Sequence, residues 1–313
     1  WQMRELQTMT HLEKHRHHFG SENVIRFLGA YLGRRSRGIT LVLLLQYCGA
    51  GTLDHLVESR GAQGEEMVCG VAQQMLRALQ FVHGCGLIHR DVKPENILMV
   101  AKEGSAPHVM LADFGLAVWV QDAEKSTTSG TPGYIAPEML RGGPFGPNSD
   151  LFGLGATCFF AATGTAAFSG DNRDAALAAN KKAALTCPDA MSEPLVDFVR
   201  ILCTGNPRSR PTASAAALLP WVCPVAYLGS LATDADSAQL TVGGTCPGFS
   251  RMDDQLSLAP GSTLENDPAS VPWSKPDHPA ARPFSLQDLE SDPVRTCVPA
   301  DGTQPECGAA GGG

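Results

Sequence analysis

"GLIHRDVKPENILMV", residues 86–100, sets a His-Arg-Asp triplet, a Lys, a Glu and an Asn between two apolar runs. Unpaired polar groups at a buried site are costly. A chain that gathers so many charged and amide groups in one short loop therefore needs ligands or partners to satisfy them. The flanks read as regular structure. Upstream, "VCGVAQQMLRALQFVHGCG" has helical spacing and ends at Gly84 or Gly86, as a helix C-cap requires. Downstream, "NILMV" and "HVMLAD" are two short strands around a Gly-Ser-Ala-Pro turn.

Further out, "WQMRELQTMTHLEKH" repeats Met3, Leu6, Met9 and Leu12 about once per turn, which predicts a helix. "VIRFLGAYL" and "ITLVLLLQYC" are β-rich runs joined by the basic turn "GRRSRG", which predicts a hairpin, and "TLDHLVES" reads as a helix. Helices recur from about Asp150 to Trp221. A few strands followed by many helices give an α+β architecture.

With 313 residues, 43% of them hydrophobic, the chain can bury one large core or two smaller ones. Residues 224–313 hold 12 acidic and 4 basic side chains, the whole of the net charge of −8, and 20 of each sign precede them. The front is electrically balanced, so a nucleic-acid partner has no support. The rear is acidic and rich in Pro, Gly, Ser and Asp, and is expected to be mostly disordered. Its "SLQDLE" has capping-box spacing and could start a short helix, and its "RPFS" places Arg three residues before Ser. The ten Cys are scattered and mostly in apolar context, which favours buried reduced thiols and a reducing compartment. The most apolar run, "LFGLGATCFFAATGTAAF", is broken by Gly and Thr and reads as a buried helix rather than a membrane span. The expectation is a soluble, intracellular, cytoplasmic chain with no membrane partner.

"HRDVKPEN", "DFG" at 113–115 and "GTPGYIAPE" at 130–138 occur in that order, and together they resemble the catalytic half of a eukaryotic protein kinase. The resemblance covers roughly residues 1–223. It implies a protein-kinase-like two-lobed fold: a remnant of the small lobe over 1–48, a mainly helical large lobe over 49–223, and the acidic tail over 224–313. It implies ATP and Mg²⁺ as cofactors and protein Ser or Thr hydroxyls as acceptors, because Lys93 lies two residues after Asp91 and Thr131 sits in a "GT-x-x-Y-x-APE" segment. Phosphoryl transfer needs in-line positioning, charge neutralisation and a carboxylate near the attacking oxygen. By resemblance, Asp91 orients the acceptor hydroxyl and takes its proton, Lys93 steadies the transferring phosphate, and Asn96 with Asp113 holds the metal ions. Oxygen ligands suit that hard cation.

Glu95, in the same loop, joins the ATP-site residues, as do Gln46, Tyr47 and Cys48, whose backbone falls where the hinge should meet adenine, just after Leu45 at the gatekeeper position. Arg90 ahead of the catalytic Asp implies control by phosphorylation of Ser126, Thr127, Thr128 or Ser129 by an upstream activating kinase. A plain solvated loop fits "KSTTSG" nearly as well. Glu138 and Arg210 match the family's buried ion pair, and Asp150 should brace the catalytic loop. The wording is similar to the calcium/calmodulin-dependent group, but Phe152 stands where Trp is usual, so no subfamily is assigned.

The family's Gly-rich loop and strand Lys are not in the sequence, and only four residues precede Glu5, the match to the helix Glu that pairs with that Lys. The chain opens with Trp, and the expectation is a fragment of a longer kinase. Alone it should bind ATP weakly and expose an apolar face. A pseudokinase or scaffold that binds partners without catalysis stays open, as, less favoured, does a small-molecule kinase. His11, His15, His17 and His18 include an i, i+4 pair that could bind a metal. Without clear further ligands they read as a solvated basic loop.

Overall fold

The computed structural model describes residues 2–35, 38–100, 108–125 and 129–223; the tail from 224 and Ser126, Thr127 and Thr128 lie outside them. Helix α1 spans Gln2–Lys14 and is followed by a 3-10 turn, Ser21–Asn23. Strands β1 (Phe27–Arg35) and β2 (Gly38–Leu45) pair in a two-stranded sheet. Then come α2 (Leu53–Arg60), α3 (Glu65–Gly84), β3 (Leu87–Ile88), β4 (Ile97–Val100), β5 (His108–Leu111) and β6 (Val118–Trp119). Helices α4 (Pro137–Leu140), α5 (Asn148–Thr163), α6 (Arg173–Lys182), α7 (Glu193–Leu202) and α8 (Ala213–Ala216) complete the described order. The architecture is α+β, an incomplete protein-kinase-like fold with a mainly helical large part. By compactness, residues 30–43 form one unit, and residues 2–29 with the described residues from 44 to 223 form another.

In the larger unit, α3 is the axis. Val68, Val71, Ala72, Met75, Leu76, Leu79 and Val82 recur at helical spacing and are all buried, so one stripe of the helix faces the core. Glu65 and Glu66 in its first turn and His83 in its last suit the helix dipole. Neighbouring helices start where a side chain replaces the missing backbone acceptor: Thr52 accepts from His55 N–H, Asn172 from Ala175, Ser192 from Leu195 and Thr212 from Ala215. Helix α5 is buried almost throughout and ends at Gly164, whose φ of 71° is cheap only for glycine. Phe152, in place of the usual Trp, is fully buried and stacks on Phe168 at 5.2 Å between ring centroids. On α1, Leu6, Met9 and Leu12 are buried, whereas Met3 is exposed.

Two short sheets frame the polar loop. β3 pairs with β6, Leu87 opposite Trp119, and β4 with β5, Ile97 opposite Leu111. The chain between β3 and β4 carries "HRDVKPEN", and that between β5 and β6 holds "DFG". Ala112 N–H donates to Asn96 C=O at 2.9 Å and Val120 N–H to Gly86 C=O at 2.9 Å, locking the two connections side by side. In β1 and β2, Leu28, Leu32, Leu44 and Leu45 are exposed. The described cysteines are free thiols, and among the described residues no helix is long and apolar enough to cross a membrane.

Candidate active site

The loop is held from below by Asp150 at the start of α5. Its carboxylate accepts from His89 N–H at 2.9 Å, Arg90 N–H at 2.8 Å and His83 Nε2 at 2.8 Å. Burial opposes the charge, but the His83 hydrogen bond and charge, with His89 and the Arg90 amide, hold Asp150 below the usual carboxylate range. Arg90 itself has a φ of 73°, a left-handed conformation uncommon for a non-glycine residue. His89 is fully buried, which pushes its ring toward the neutral form; it shares a hydrogen bond with Ala112 C=O at 3.0 Å and packs edge-on to Phe114.

Above this brace, Asp91, Lys93, Asn96 and Thr131 meet. Asn96 Nδ2 donates to the Asp91 carbonyl at 2.8 Å and to its Oδ2 at 3.0 Å. Lys93 Nζ lies 2.8 Å from Asp91 Oδ2 and donates to Thr131 Oγ1 at 2.7 Å. Thr131 Oγ1 in turn donates to Asp91 Oδ1 at 2.8 Å. With its amide nitrogen committed to Asp91, Asn96 has its amide oxygen left as a donor atom for a cation. Asp113 has a φ of 61° and is exposed, one carboxylate oxygen accepting from Gly115 N–H at 3.2 Å. An amide oxygen and an exposed carboxylate on adjoining connections form a donor set that suits Mg²⁺.

Glu5 points from α1 into the same neighbourhood. A Cβ on Gly115 would lie 3.1 Å from Asp113 Oδ1 and 3.9 Å from Glu5 Oε2. Burial and then the Asp113 charge push Glu5 above the ordinary carboxylate range. Among the described residues no basic side chain pairs with it.

At the 46–48 segment, Gln46 N–H donates to Arg26 C=O at 3.0 Å and is therefore committed. The Gln46 carbonyl and the Cys48 N–H make no backbone hydrogen bond among the described residues, leaving an acceptor and a donor two residues apart. Tyr47 carries its side chain out to solvent. Glu95 is exposed.

The segment carrying Thr131 is anchored twice. Glu138 and Arg210 form a buried bidentate pair at 2.7 and 2.9 Å; Ser149 Oγ also donates to Glu138, and Arg210 reaches the Asn148 and Thr204 carbonyls. Burial raises Glu138, yet the Arg210 hydrogen bonds and charge win and hold it below the usual range. The Arg210 guanidinium lies 5.4 Å from the Phe152 ring centroid. Arg90 donates to Ser129 Oγ, and its guanidinium lies 5.1 Å from the Phe145 ring centroid.

Several supports gave no signal in sequence. His83 sits in an ordinary helix end. Asn180, fully buried on α6, accepts from Gly133 N–H at 2.5 Å. On α5, a Cβ at Gly153 would lie 2.6 Å from the Val92 carbonyl, so only glycine lets α5 pass this close beneath the loop. An Asn or Gly within a helical pattern marks such contacts only once the loop they meet is known.

Residues 2–222 match the protein kinase domain. The chain belongs to that family. It is 30% identical over 208 residues to human death-associated protein kinase 2, covering 65% of this chain and 55% of that protein. It is 30% identical over 224 residues to calcium-dependent protein kinase 25 of Arabidopsis thaliana, covering 70% and 41%. To calcium/calmodulin-dependent protein kinase type II of Caenorhabditis elegans it is 32% identical over 186 residues, covering 58% and 26%. This kinase chain thus spans about half the length of these relatives, or less.

Proposed function

We propose that the protein is a serine/threonine protein kinase that transfers the γ-phosphate of MgATP to protein hydroxyls. The observation that carries this is the Asp91 carboxylate, held at fixed distance from Lys93, Asn96 and Thr131 on a loop braced by Asp150. Asp91 orients the acceptor hydroxyl and takes its proton at a carboxylate oxygen as transfer proceeds. Lys93 offsets the charge on the transferring phosphoryl oxygens. Asn96 and Asp113 hold the magnesium, which when bound neutralises the phosphates of ATP. The Gln46 carbonyl and Cys48 N–H take the adenine edge, with Glu95 near the nucleotide side of the loop. Thr131 joins Asp91 and Lys93 and positions the docked peptide. Through Arg90, a phosphate on the segment containing Ser126, Thr127, Thr128 and Ser129 orders that segment, and an upstream kinase places it there.

A second reading has one observation behind it. Glu5 lies beside Asp113 with no basic partner among the described residues, as in a scaffold that keeps the fold without holding ATP for catalysis. The test presents Ser/Thr peptides, Tyr peptides and small-molecule alcohols to the full encoded protein with MgATP. The proposal expects label on Ser and Thr alone. Label confined to small molecules contradicts it, and no label together with partner binding supports the scaffold.

A further inference from the structure

The end of α1 meets the end of α3. One ligand atom from each of His11, His15 and Cys85 lies within 4.8 Å of the others, and all three side chains are half-buried. The sequence offers the two histidines as an i, i+4 pair on one helix face. The fold brings in the third donor, 70 residues further along, from the residue that caps α3.

The hydrogen bonds of the rings match what a metal-binding histidine requires. His11 Nε2 is 3.1 Å from the Cys85 carbonyl and His15 Nδ1 is 2.9 Å from the His11 carbonyl. A carbonyl can only accept, so the ring nitrogen facing it carries the hydrogen, and in a neutral imidazole the other nitrogen is left with the lone pair. That is the outer-shell arrangement that fixes the tautomer of a ligating imidazole. His11 is further fixed edge-on against Trp119 at 4.7 Å. His17 and His18 lie tilted against each other at 4.1 Å between ring centroids, and His18 stacks on His15 at 6.0 Å; neither supplies a ligand atom to the cluster.

From this geometry we infer that His11, His15 and Cys85 form a site for a borderline-soft divalent metal ion of the zinc class, bound by two imidazole nitrogens and one thiolate with a fourth position open to water. Zinc at about 2.0–2.3 Å from such donors brings them to roughly 3.3–3.7 Å of one another, a closure within reach of small side-chain rotations. Two nitrogens and a sulfur select zinc, cobalt or copper over magnesium and calcium. The metal-bound sulfur is a thiolate, so coordination releases the Cys85 proton to solvent while the sulfur lone pair forms the bond. The ion joins α1, which carries Glu5, to the turn at Gly86 that opens into β3 and the catalytic loop. It is a clamp on the frame of the active site, separate from the magnesium donors Asn96 and Asp113.

Cobalt is the probe, because a cobalt–thiolate bond gives a near-ultraviolet charge-transfer absorption that imidazole or carboxylate ligation does not. Titrating the full-length protein, reduced and metal-free, should produce this absorption with one equivalent of cobalt, and zinc should abolish it. Cys85→Ser should remove the absorption, His15→Asn should weaken cobalt binding at least about tenfold, and His17→Asn should leave both unchanged. No absorption at saturating cobalt, or one that persists in Cys85→Ser, overturns the site. In the unmodified protein, zinc should protect Cys85 and not Cys48 from alkylation, read by peptide mapping. Equal alkylation of Cys85 with and without zinc overturns the site even if the variants fail to fold.

Discussion

Asp150→Asn keeps the heavy-atom count at the base of the loop while it removes the charge and turns one acceptor oxygen into an NH₂ donor. The carboxylate receives three donors, the His89 and Arg90 amides and His83 Nε2, and is 2% exposed. An amide has one acceptor oxygen. Whichever way it is turned, its NH₂ faces at least one of these donors. A hydrogen bond to a charged group contributes about 1.5–3 kcal/mol, and a buried donor left without an acceptor costs about 1–3 kcal/mol. The variant should therefore lose roughly 2–4 kcal/mol.

With a urea slope of about 2–3 kcal/mol/M, that is a drop of roughly 0.7–2 M in the unfolding midpoint. The pH dependence gives the sharper test. The folded Asp150 is held below the usual carboxylate range, so its contribution is present above the unfolded value of about 3.9 and is lost as pH falls through the lower folded value. The gap between the two proteins should be full at neutral pH and close on acidification. Equal midpoints at pH 7, or a gap that widens in acid, would refute the assignment of Asp150 as the ionised brace.

Other perturbations have equally definite outcomes. Glu138→Ala strands the buried Arg210 guanidinium and should cost about 3–5 kcal/mol by urea unfolding, whereas Glu138→Leu with Arg210→Met should recover most of it; a single-variant loss under 1 kcal/mol would mean the pair is not desolvated. Gly153→Ala forces a methyl against the Val92 carbonyl and should lower stability by about 1–3 kcal/mol while slowing phosphotransfer; an unchanged Tm would show that α5 does not support the loop. Thr131→Val removes the hydroxyl shared by Asp91 and Lys93, and should lower kcat on peptide substrates more than it alters ATP binding. An effect on ATP affinity alone would place Thr131 elsewhere in the reaction.

The order of polar motifs made the family legible because each motif puts several chemically demanding side chains at fixed short spacing. Helix α3 and the β4–β5 pair were legible from period and punctuation. The loop supports were not. Asp150 has three partners drawn from α3 and the catalytic loop, and nothing local to "NSDLFG" encodes His83. Gly153 looks like a weak helix residue until the Val92 carbonyl is found beneath it. The histidine pair at 11 and 15 looked like a solvated loop because its third donor, Cys85, is remote in sequence. Met3 shows the converse limit: helical spacing gave the stripe, but at the first turn of α1 no other described element covers it.

The measurement that tests the account most directly is phosphate incorporation into Ser/Thr protein substrates from γ-labelled MgATP, comparing the full encoded protein with its Asp91→Asn variant. The account predicts labelled phosphoserine or phosphothreonine in the first and a loss of about 10²-fold or more in the second, the contribution of a positioned proton acceptor. Equal labelling by both, or none by either with MgATP bound, would contradict it.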